Sequence, residues 1–176
     1  MLAFYNLSRN IIMTNTKTVK QLSAQIITSE NFQPYGQVIF PSKDGKLFDS
    51  EDAQLVLDKG VPRFYIMQLE GRGNKFHNIT RHAKCTQCLG SLAGKDWLMA
   101  VCPANNNIDE PALENIAAFR IPGNCFIKLN VGTWHAGPYF EHDQVDFYNL
   151  ELSNTNEIDH LTHSFLKSHQ LEFEIV

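Results

Sequence analysis

Two stretches of the sequence carry most of the information about the fold. Residues 80–94 read TRHAKCTQCLGSLAG, and further along residues 130–138 read NVGTWHAGP. Side chains of a strand alternate between its two faces, so Thr80 and His82 share one face and Arg81 points to the other. The two stretches therefore read as strand-and-turn segments that each present a histidine, His82 or His135.

The sequence around these stretches has the same character. Short runs rich in β-branched and aromatic residues are separated by Gly, Asn, Asp and Pro clusters, and they lie at residues 19–27, 38–40, 63–69, 76–82, 88–92, 97–102, 117–121, 126–129, 145–152 and 171–176. Helical periodicity is scarce, with single turns at Ser29–Phe32 and Pro111–Ile116. Roughly ten short strands with frequent turn signals predict an all-β sandwich or barrel, in which closure hides the sheet edges.

Composition excludes several classes of function. The 176 residues are 43% apolar and 11% aromatic, which favours one packed domain over residues 18–176. A net charge of -4 offers no basic footprint for nucleic acid, and no apolar run is long enough to span a membrane. The four cysteines do not form a secreted-type framework, so we expect a reducing cytoplasm. Residues 1–17 are predicted to be a disordered leader, with Met13 as a possible true start.

The order and spacing of the two stretches resemble the two motifs of the cupin superfamily. The first cupin motif reads H-x-H, then three or four residues, E, six residues and G. Here Thr80, His82, Gln87 and Gly94 keep that frame, with threonine replacing a histidine and glutamine replacing the glutamate. The second motif, P-x-G-x-x-H, matches residues 130–135 with asparagine in place of proline. The resemblance implies an all-β, cupin-type double-stranded β-helix (jelly-roll barrel) with one or two short helices.

Further matches narrow the resemblance to one branch, the ureidoglycolate lyase family, also called ureidoglycolate hydrolase. They extend from Ile26 to about Leu152 and comprise Phe32–Gly36 with Val38-Ile39, Gly60–Arg63, His77 with Arg81-His82, Thr86-Gln87, Gly132–His135 and Asp146-Phe147. The tail from Asn154 to Val176 is not covered. The resemblance implies a carbon–nitrogen lyase (amidine-lyase) that cleaves ureidoglycolate to glyoxylate and urea in allantoin and purine degradation. It also implies a homodimer.

The substitutions in the motif bear on metal binding. A full cupin set of three histidines and a glutamate holds manganese, iron, nickel or zinc. This chain keeps His82 and His135 but has the neutral amide of Gln87 where the carboxylate would offset the charge of the metal. We therefore predict no tightly bound cofactor. Because the resembled family is associated with nickel, a weakly held nickel or manganese ion on the two histidines stays open.

The implied reaction suits a pair of histidines. Ureidoglycolate is a carbinolamine, so removal of its hydroxyl proton lets a carbonyl form as urea departs, provided that the leaving nitrogen is protonated. Histidine has the pKa for both proton transfers near neutral pH. We assign His82 and His135 as catalytic base and acid, in an order that the sequence leaves open. Gln87 is the third predicted catalytic residue, orienting the urea amide through paired contacts.

A second group is predicted to bind the substrate. Arg63 occupies the family's Gly-x-x-Arg position and offers a planar fork for the carboxylate. Thr80 shares a face with His82. Trp134 is either a substrate platform or core packing, and His77 would point to the opposite face of an unbroken strand.

Other chemistry-bearing residues have simpler explanations. Cys85 and Cys88 form a C-x-x-C without a second pair or a βαβ context, which argues against a zinc ribbon or a redox centre. Arg81 should point away from the barrel interior, and Asp146 either orients a histidine or is structural. The remaining histidines are assigned to the surface: His142, His160, His163 and His169.

Two alternatives to the lyase stay open. One is a related cupin enzyme acting on another small ureido acid or 2-hydroxy acid, and the other is a non-catalytic cupin that binds a small molecule. Both share the predicted partner, a small ureido-type acid, and exclude nucleic acid and membrane.

Overall fold

The computed structural model describes residues 17–105 and 109–176. Its strands are β1 (Thr18–Leu22), β2 (Ala24–Ile26), β3 (Gly36–Ile39), β4 (Pro62–Glu70), β5 (Lys75–Phe76), β6 (Asn78–Arg81), β7 (Gln87–Ser91), β8 (Gly94–Cys102), β9 (Ala117–Gly123), β10 (Phe126–Leu129), β11 (Trp134–Tyr139), β12 (Gln144–Leu152), β13 (Leu161–Ser164) and β14 (Leu171–Ile175). The helices are α1 (Ser29–Phe32), α2 (Thr155–Ile158) and α3 (Phe165–His169), with a 3-10 turn at Leu113–Asn115. The predicted all-β class is confirmed. Three short helices, rather than one or two, arise because the tail supplies α2 and α3.

The strands form two large sheets and a smaller one. Their orders are β3-β10-β7-β12-β4, β13-β6-β11-β8-β9-β2 and β1-β14-β5. Leu89 and Phe147 from the five-stranded sheet share one core cluster with Trp97 and Phe119 from the six-stranded sheet. Consecutive strands β6, β7 and β8 alternate between these sheets. The two sheets thus pack face to face as a double-sheet jelly-roll barrel of the cupin type, which confirms the predicted architecture.

A second core lies on the outer face of the six-stranded sheet. Trp134 and Ile79 pack there against Phe173 of β14 and Phe165 of α3. Along β8, Val101 belongs to the barrel core while its neighbour Cys102 belongs to this outer core. The alternation of strand side chains therefore divides residues between barrel interior and outer layer, and this division decides which predicted residues reach the site.

The barrel interior is apolar at one end and polar at the other. On β12, Val145 and Phe147 belong to the core, whereas Asn149 and Glu151 continue the same face toward the polar end. This polar end is where the candidate site lies.

No helix within residues 17–105 and 109–176 is long and apolar enough to cross a membrane. The predicted leader, residues 1–17, lies outside the described residues except for Lys17, whose ammonium contacts the Glu172 carboxylate at 2.6 Å.

Candidate active site

The three predicted catalytic residues lie together at the polar end of the barrel. His82, Gln87 and His135 line one small internal cavity, which is completed by Cys85, Leu129, Asn130 and Thr133. The ring centroids of His82 and His135 are 5.1 Å apart. Both histidines are buried, at 6% and 9% exposure. Two motifs that are far apart in sequence therefore contribute to one site.

The loop before β11 positions His135. The Tyr35 carbonyl accepts hydrogen bonds from the Asn130 N–H at 2.9 Å and from the Thr133 hydroxyl at 2.8 Å. On the other side of the loop, the Gly132 N–H donates to the His82 carbonyl at 2.7 Å. Gly132 has a φ of +84°, a conformation that favours glycine. The Phe32–Gly36 segment and both histidine motifs are thus tied together by main-chain hydrogen bonds.

Asp159 orients His82. Its carbonyl lies 2.5 Å from His82 Nδ1, and because a carbonyl only accepts, Nδ1 carries the proton and Nε2 keeps its lone pair in the neutral ring. The Asp159 carboxylate is itself held by the N–H groups of Ala83 at 2.7 Å and Lys84 at 2.8 Å. Asp159 lies in the tail outside the motif matches, so the sequence contained no signal for this role.

Burial keeps both histidines neutral near pH 7. The pKa of His135 is lowered to about 3, chiefly by burial and to a smaller extent by the neighbouring His82. Burial also lowers the pKa of His82, against the opposing effect of the Asp159 carbonyl. The Thr133 carbonyl lies 3.3 Å from His135 Nδ1, which leaves Nε2 as the basic atom of this ring as well. The site therefore offers two proton acceptors rather than a preformed acid.

These lowered pKa values predict acid sensitivity of the fold. The unfolded chain binds a proton at each histidine below pH 6.5 and the folded chain resists it, so stability is full above pH 6.5 and falls as pH decreases. One such proton changes the free energy of unfolding by at most about 1.4 kcal/mol per pH unit. Urea unfolding between pH 7 and pH 5 should give a smaller pH slope for His135→Gln than for the wild type. Identical slopes would contradict the neutral buried imidazole.

Gln87 belongs to a buried polar network. Its amide nitrogen donates to Glu151 Oε2 at 3.0 Å and to Asn149 Oδ1 at 3.2 Å. The Tyr65 hydroxyl joins Glu151 at 3.2 Å and accepts from the Asn149 amide at 3.1 Å. Within the described ranges, Gln87 Oε1 is buried and accepts no hydrogen bond. The residue that accepts the Gln87 hydrogen bond, Glu151, therefore supplies a carboxylate next to the position where the cupin motif has its glutamate. Glu151 is 2% exposed, and the motif spacing did not predict it.

A larger, open cavity adjoins His135. It has a volume of about 370 Å³ and lies where β6 and β11 diverge, since these strands pair only at Thr80 and His135 among the described residues. Two predicted substrate-binding residues, Thr80 and His77, line it together with His135. The sequence predicted that His77 would point to the opposite face of an unbroken strand. The strand is interrupted at His77, between β5 and β6, so the side chain reaches the cavity. Three residues that the sequence did not single out also line this cavity: Arg72, Lys75 and His160.

Trp134 and Arg63 lie elsewhere. Trp134 is fully buried in the outer core, its indole N–H donates to Asn105 Oδ1 at 3.3 Å, and the Arg81 guanidinium stacks over its ring at 4.7 Å. It faces away from His135 and is a packing residue in this structure. Arg63 lies on the inner face at the end of β4, exposed, with its guanidinium 3.7 Å from the Tyr65 ring centroid. Neither side chain lines either cavity.

His160 is brought to the site by the tail. Its side chain is exposed, which confirms the predicted surface position, but its ring centroid lies 5.7 Å from that of His82, which the sequence did not predict. Thr80 stands where the cupin motif has its first histidine, and its hydroxyl lies 3.0 Å from that of Thr162. The Thr162 hydroxyl in turn lies 3.5 Å from His160 Nδ1. His160, which immediately precedes β13, therefore lies near Thr80, the position at which the cupin motif has its first histidine.

The donor set around His82 does not fit a tightly held metal ion. Among the described residues, the only group of three or more His, Cys, Asp or Glu ligand atoms within 4.8 Å of one another is Glu110, His163 and His169, and none of these lines either cavity. The C-x-x-C cysteines offer no alternative. Burial raises the pKa of Cys88 to about 12, so its thiol stays protonated.

The face-to-face sheets and the histidine pair at the polar end define a protein of the cupin class. Within that class, the family described as ureidoglycolate lyase matches residues 19–172, so the chain belongs to the ureidoglycolate lyase family. No curated protein matches the chain.

Similar solved structures include three sugar-nucleotide proteins. RmlC from Streptococcus suis, in complex with dTDP-D-xylose, is 11% identical with a TM-score of 0.42 over 70% of this chain and 53% of that chain. The present chain therefore spans about half the length of that relative. A dTDP sugar isomerase from Desulfovibrio desulfuricans G20 is 10% identical, with a TM-score of 0.46 over 74% and 85%. RmlC from Legionella pneumophila Philadelphia 1, a dTDP-6-deoxy-D-glucose-3,5-epimerase in complex with dTDP-4-keto-L-rhamnose, is 13% identical, with a TM-score of 0.36 over 80% and 70%.

Proposed function

We propose that this protein is a ureidoglycolate lyase, an amidine-lyase that releases glyoxylate and urea by histidine-mediated elimination. We place it in the cytoplasm, in the degradation of allantoin and purine nitrogen. The observation that carries the proposal is His135, a buried neutral imidazole that lines both the His82–Gln87 cavity and the open cavity. A neutral imidazole beside a space for a small acid keeps the lone pair that a general base needs.

The open cavity supplies the charge that a substrate carboxylate needs. The small His82–Gln87 cavity is too narrow to admit a water molecule, so we place ureidoglycolate on the Thr80 side of His135. Arg72 and Lys75 line that side, and the Arg72 guanidinium stacks 5.0 Å from the Tyr139 ring centroid. Arginine binds a carboxylate with two parallel hydrogen bonds. In this proposal Arg72 takes the carboxylate-binding role that the sequence analysis assigned to Arg63.

The proton movements balance within the site. His135 Nε2 takes the hydroxyl proton, the oxygen's electron pair forms the aldehyde carbonyl, and the carbon–nitrogen bond breaks. The leaving nitrogen takes up a proton as urea forms, so no net proton is consumed. A charged His135 is disfavoured by burial and by His82, which drives it to give the proton up again. Gln87 lines the small cavity beside the two histidines, and its amide donates to the Glu151 carboxylate.

His160 is our candidate for the group that protonates the leaving nitrogen. It lines the open cavity and contacts solvent, unlike the two buried rings. Replacing His160 with alanine should lower kcat about 10²-fold, in the range of a lost general acid. The same loss is not expected for His142→Ala, an exposed histidine that lines neither cavity. Equal kcat for His160→Ala and the wild type would remove His160 from the mechanism.

The direct test is turnover of ureidoglycolate by the purified full chain. Glyoxylate and urea should appear in equal amounts, above the decay measured without protein. Release of ammonia in place of urea would contradict the lyase. The assay with and without added nickel or manganese tests the predicted weak ion at His82 and His135. A ligand-dependent rise in Tm without product would favour the non-catalytic cupin, and turnover of only another ureido or 2-hydroxy acid would favour the related enzyme.

We also propose that two copies associate through β4. This strand ends its sheet and, among the described residues, pairs only with β12. Its outer face exposes Phe64 at 71% and Ile66 at 64%, next to an apolar groove that includes Leu55 and Tyr148. An exposed apolar end strand is a ready template for pairing with another copy. The mass of the full chain in solution should be that of a dimer, and Phe64→Glu should shift it to a monomer. A monomeric wild type would contradict this proposal.

A further inference from the structure

A second cluster of histidines lies away from both cavities. Glu110 precedes β9, His163 lies on β13, and His169 ends α3. Glu110 Oε1 lies 3.7 Å from His163 Nε2 and 3.5 Å from His169 Nε2. Two ligand atoms on a tetrahedral zinc ion with bonds of about 2.0–2.1 Å are about 3.4 Å apart. The two distances from Glu110 are therefore close to those between ligand atoms on a zinc ion, and all three ligand atoms lie within 4.8 Å of one another.

Ser168 fixes the direction of one ring. Its hydroxyl donates to the Ser164 carbonyl at 3.1 Å, so its oxygen accepts from His169 Nδ1 at 2.6 Å. In the tautomer with its proton on Nδ1, His169 points the Nε2 lone pair at the Glu110 carboxylate. Two acceptors facing each other at 3.5 Å are stabilised by a cation between them. This arrangement, in which a hydroxyl behind the ring sets the tautomer, is common for histidine ligands of metals.

The second ring, His163, is held beside the first by packing. His163 is mostly enclosed and packs edge-on against Phe165, with ring centroids 5.1 Å apart. Its Nε2 lies 2.9 Å from Ser168 Oγ, whose own proton goes to the Ser164 carbonyl, so an ion bound at Nε2 would displace the proton that this nitrogen shares with Ser168.

We propose that Glu110, His163 and His169 form a binding site for a divalent zinc-class ion, separate from the barrel site. Two imidazoles and a carboxylate suit a borderline ion such as Zn²⁺, with water completing the tetrahedron. The ion would join the segment before β9 to β13 and α3. Asp109, next to Glu110, pairs with Arg81 at 2.7 Å, so the joined segment packs behind the strand that carries Thr80. The site is thus structural, and it does not depend on the proposed reaction.

Zinc binding to the metal-stripped full chain tests this proposal. Titration against a chromophoric chelator should show one Zn²⁺ per chain and a metal-dependent rise in Tm. Glu110→Gln and His169→Ala should each weaken zinc binding at least tenfold, because each removes one of three protein ligands. Both side chains are partly exposed, so both variants should fold.

Two controls separate this site from the barrel. His142→Ala removes an exposed histidine outside the cluster and should bind zinc as the wild type does. His82→Ala and His135→Ala should also retain binding. Unchanged zinc affinity in Glu110→Gln and His169→Ala would overturn the proposal and leave the cluster as an ion pair. Loss of zinc binding in His135→Ala with retention in His169→Ala would overturn it too, and would place the ion in the barrel.

Discussion

Replacing His135 with alanine is expected to lower turnover of ureidoglycolate by about 10³-fold or more. The variant loses the proposed base, whose contribution is typically 10²–10⁴-fold, and the ordered partner of His82. His135→Gln should lose as much, because an amide cannot accept the hydroxyl proton at neutral pH. The loss should appear in kcat more than in KM, since the carboxylate contacts proposed for Arg72 and Lys75 are unchanged in this variant. Steady-state assays of glyoxylate formation measure both constants.

The fold should survive this change. His135 donates its Nδ1 proton only to the Thr133 carbonyl, and the loop before it is held independently by Tyr35 and by the His82 carbonyl. The circular dichroism and the cooperative urea transition of His135→Ala should resemble those of the wild type. His142→Ala serves as the matched control for loss of a histidine. Turnover by folded His135→Ala at the wild-type rate would refute the site assignment, while the family membership would stand.

Replacing Gly36 with alanine is expected to cost about 3 kcal/mol of stability, near the upper end of what overpacking usually costs. An added Cβ would lie 1.9 Å from the Lys128 carbonyl oxygen, so β3 would have to move away from β10. Gly36 also follows Tyr35, whose carbonyl holds the loop before His135. For a chain of this length, the Tm should fall by roughly 6–12 °C.

Gly60→Ala is the matched control. Its added Cβ would meet only the Leu152 side chain, at 3.3 Å, and Gly60 does not adopt a positive φ. Its stability should stay within about 1 kcal/mol of the wild type in urea unfolding. A Gly36→Ala variant as stable as Gly60→Ala would show that the two strands do not approach as closely as described.

Much of the fold was predictable because strand alternation is local. The runs at 63–69, 126–129 and 145–152 correspond to β4, β10 and β12 within one or two residues. The motif spacing from Thr80 to Gly94 pointed to His82 and Gln87. Both residues line the same small cavity as His135. Arg81 points outward onto Trp134, as the alternation predicts.

Other features depend on contacts between distant segments. His160 and Asp159 come from a tail without a matching pattern, and only the pairing of β13 with β6 brings them to His82. Arg72 lies in the loop before β5. It lines the cavity because β6 and β11 diverge beside that loop. Trp134 shares a motif with His135, yet adjacent strand residues face opposite ways.

The sequence by itself determined the all-β cupin-type barrel, the family and the paired histidines, because periodicity and motif spacing are properties of the chain alone. The tertiary structure decided the chemical state of that pair. Burial makes His82 and His135 neutral proton acceptors, and the Asp159 carbonyl sets the tautomer of His82. The tertiary structure also placed Arg72, Lys75 and His160 around the cavity that His135 lines. These are consequences of desolvation and of long-range packing, which no local pattern of residues encodes.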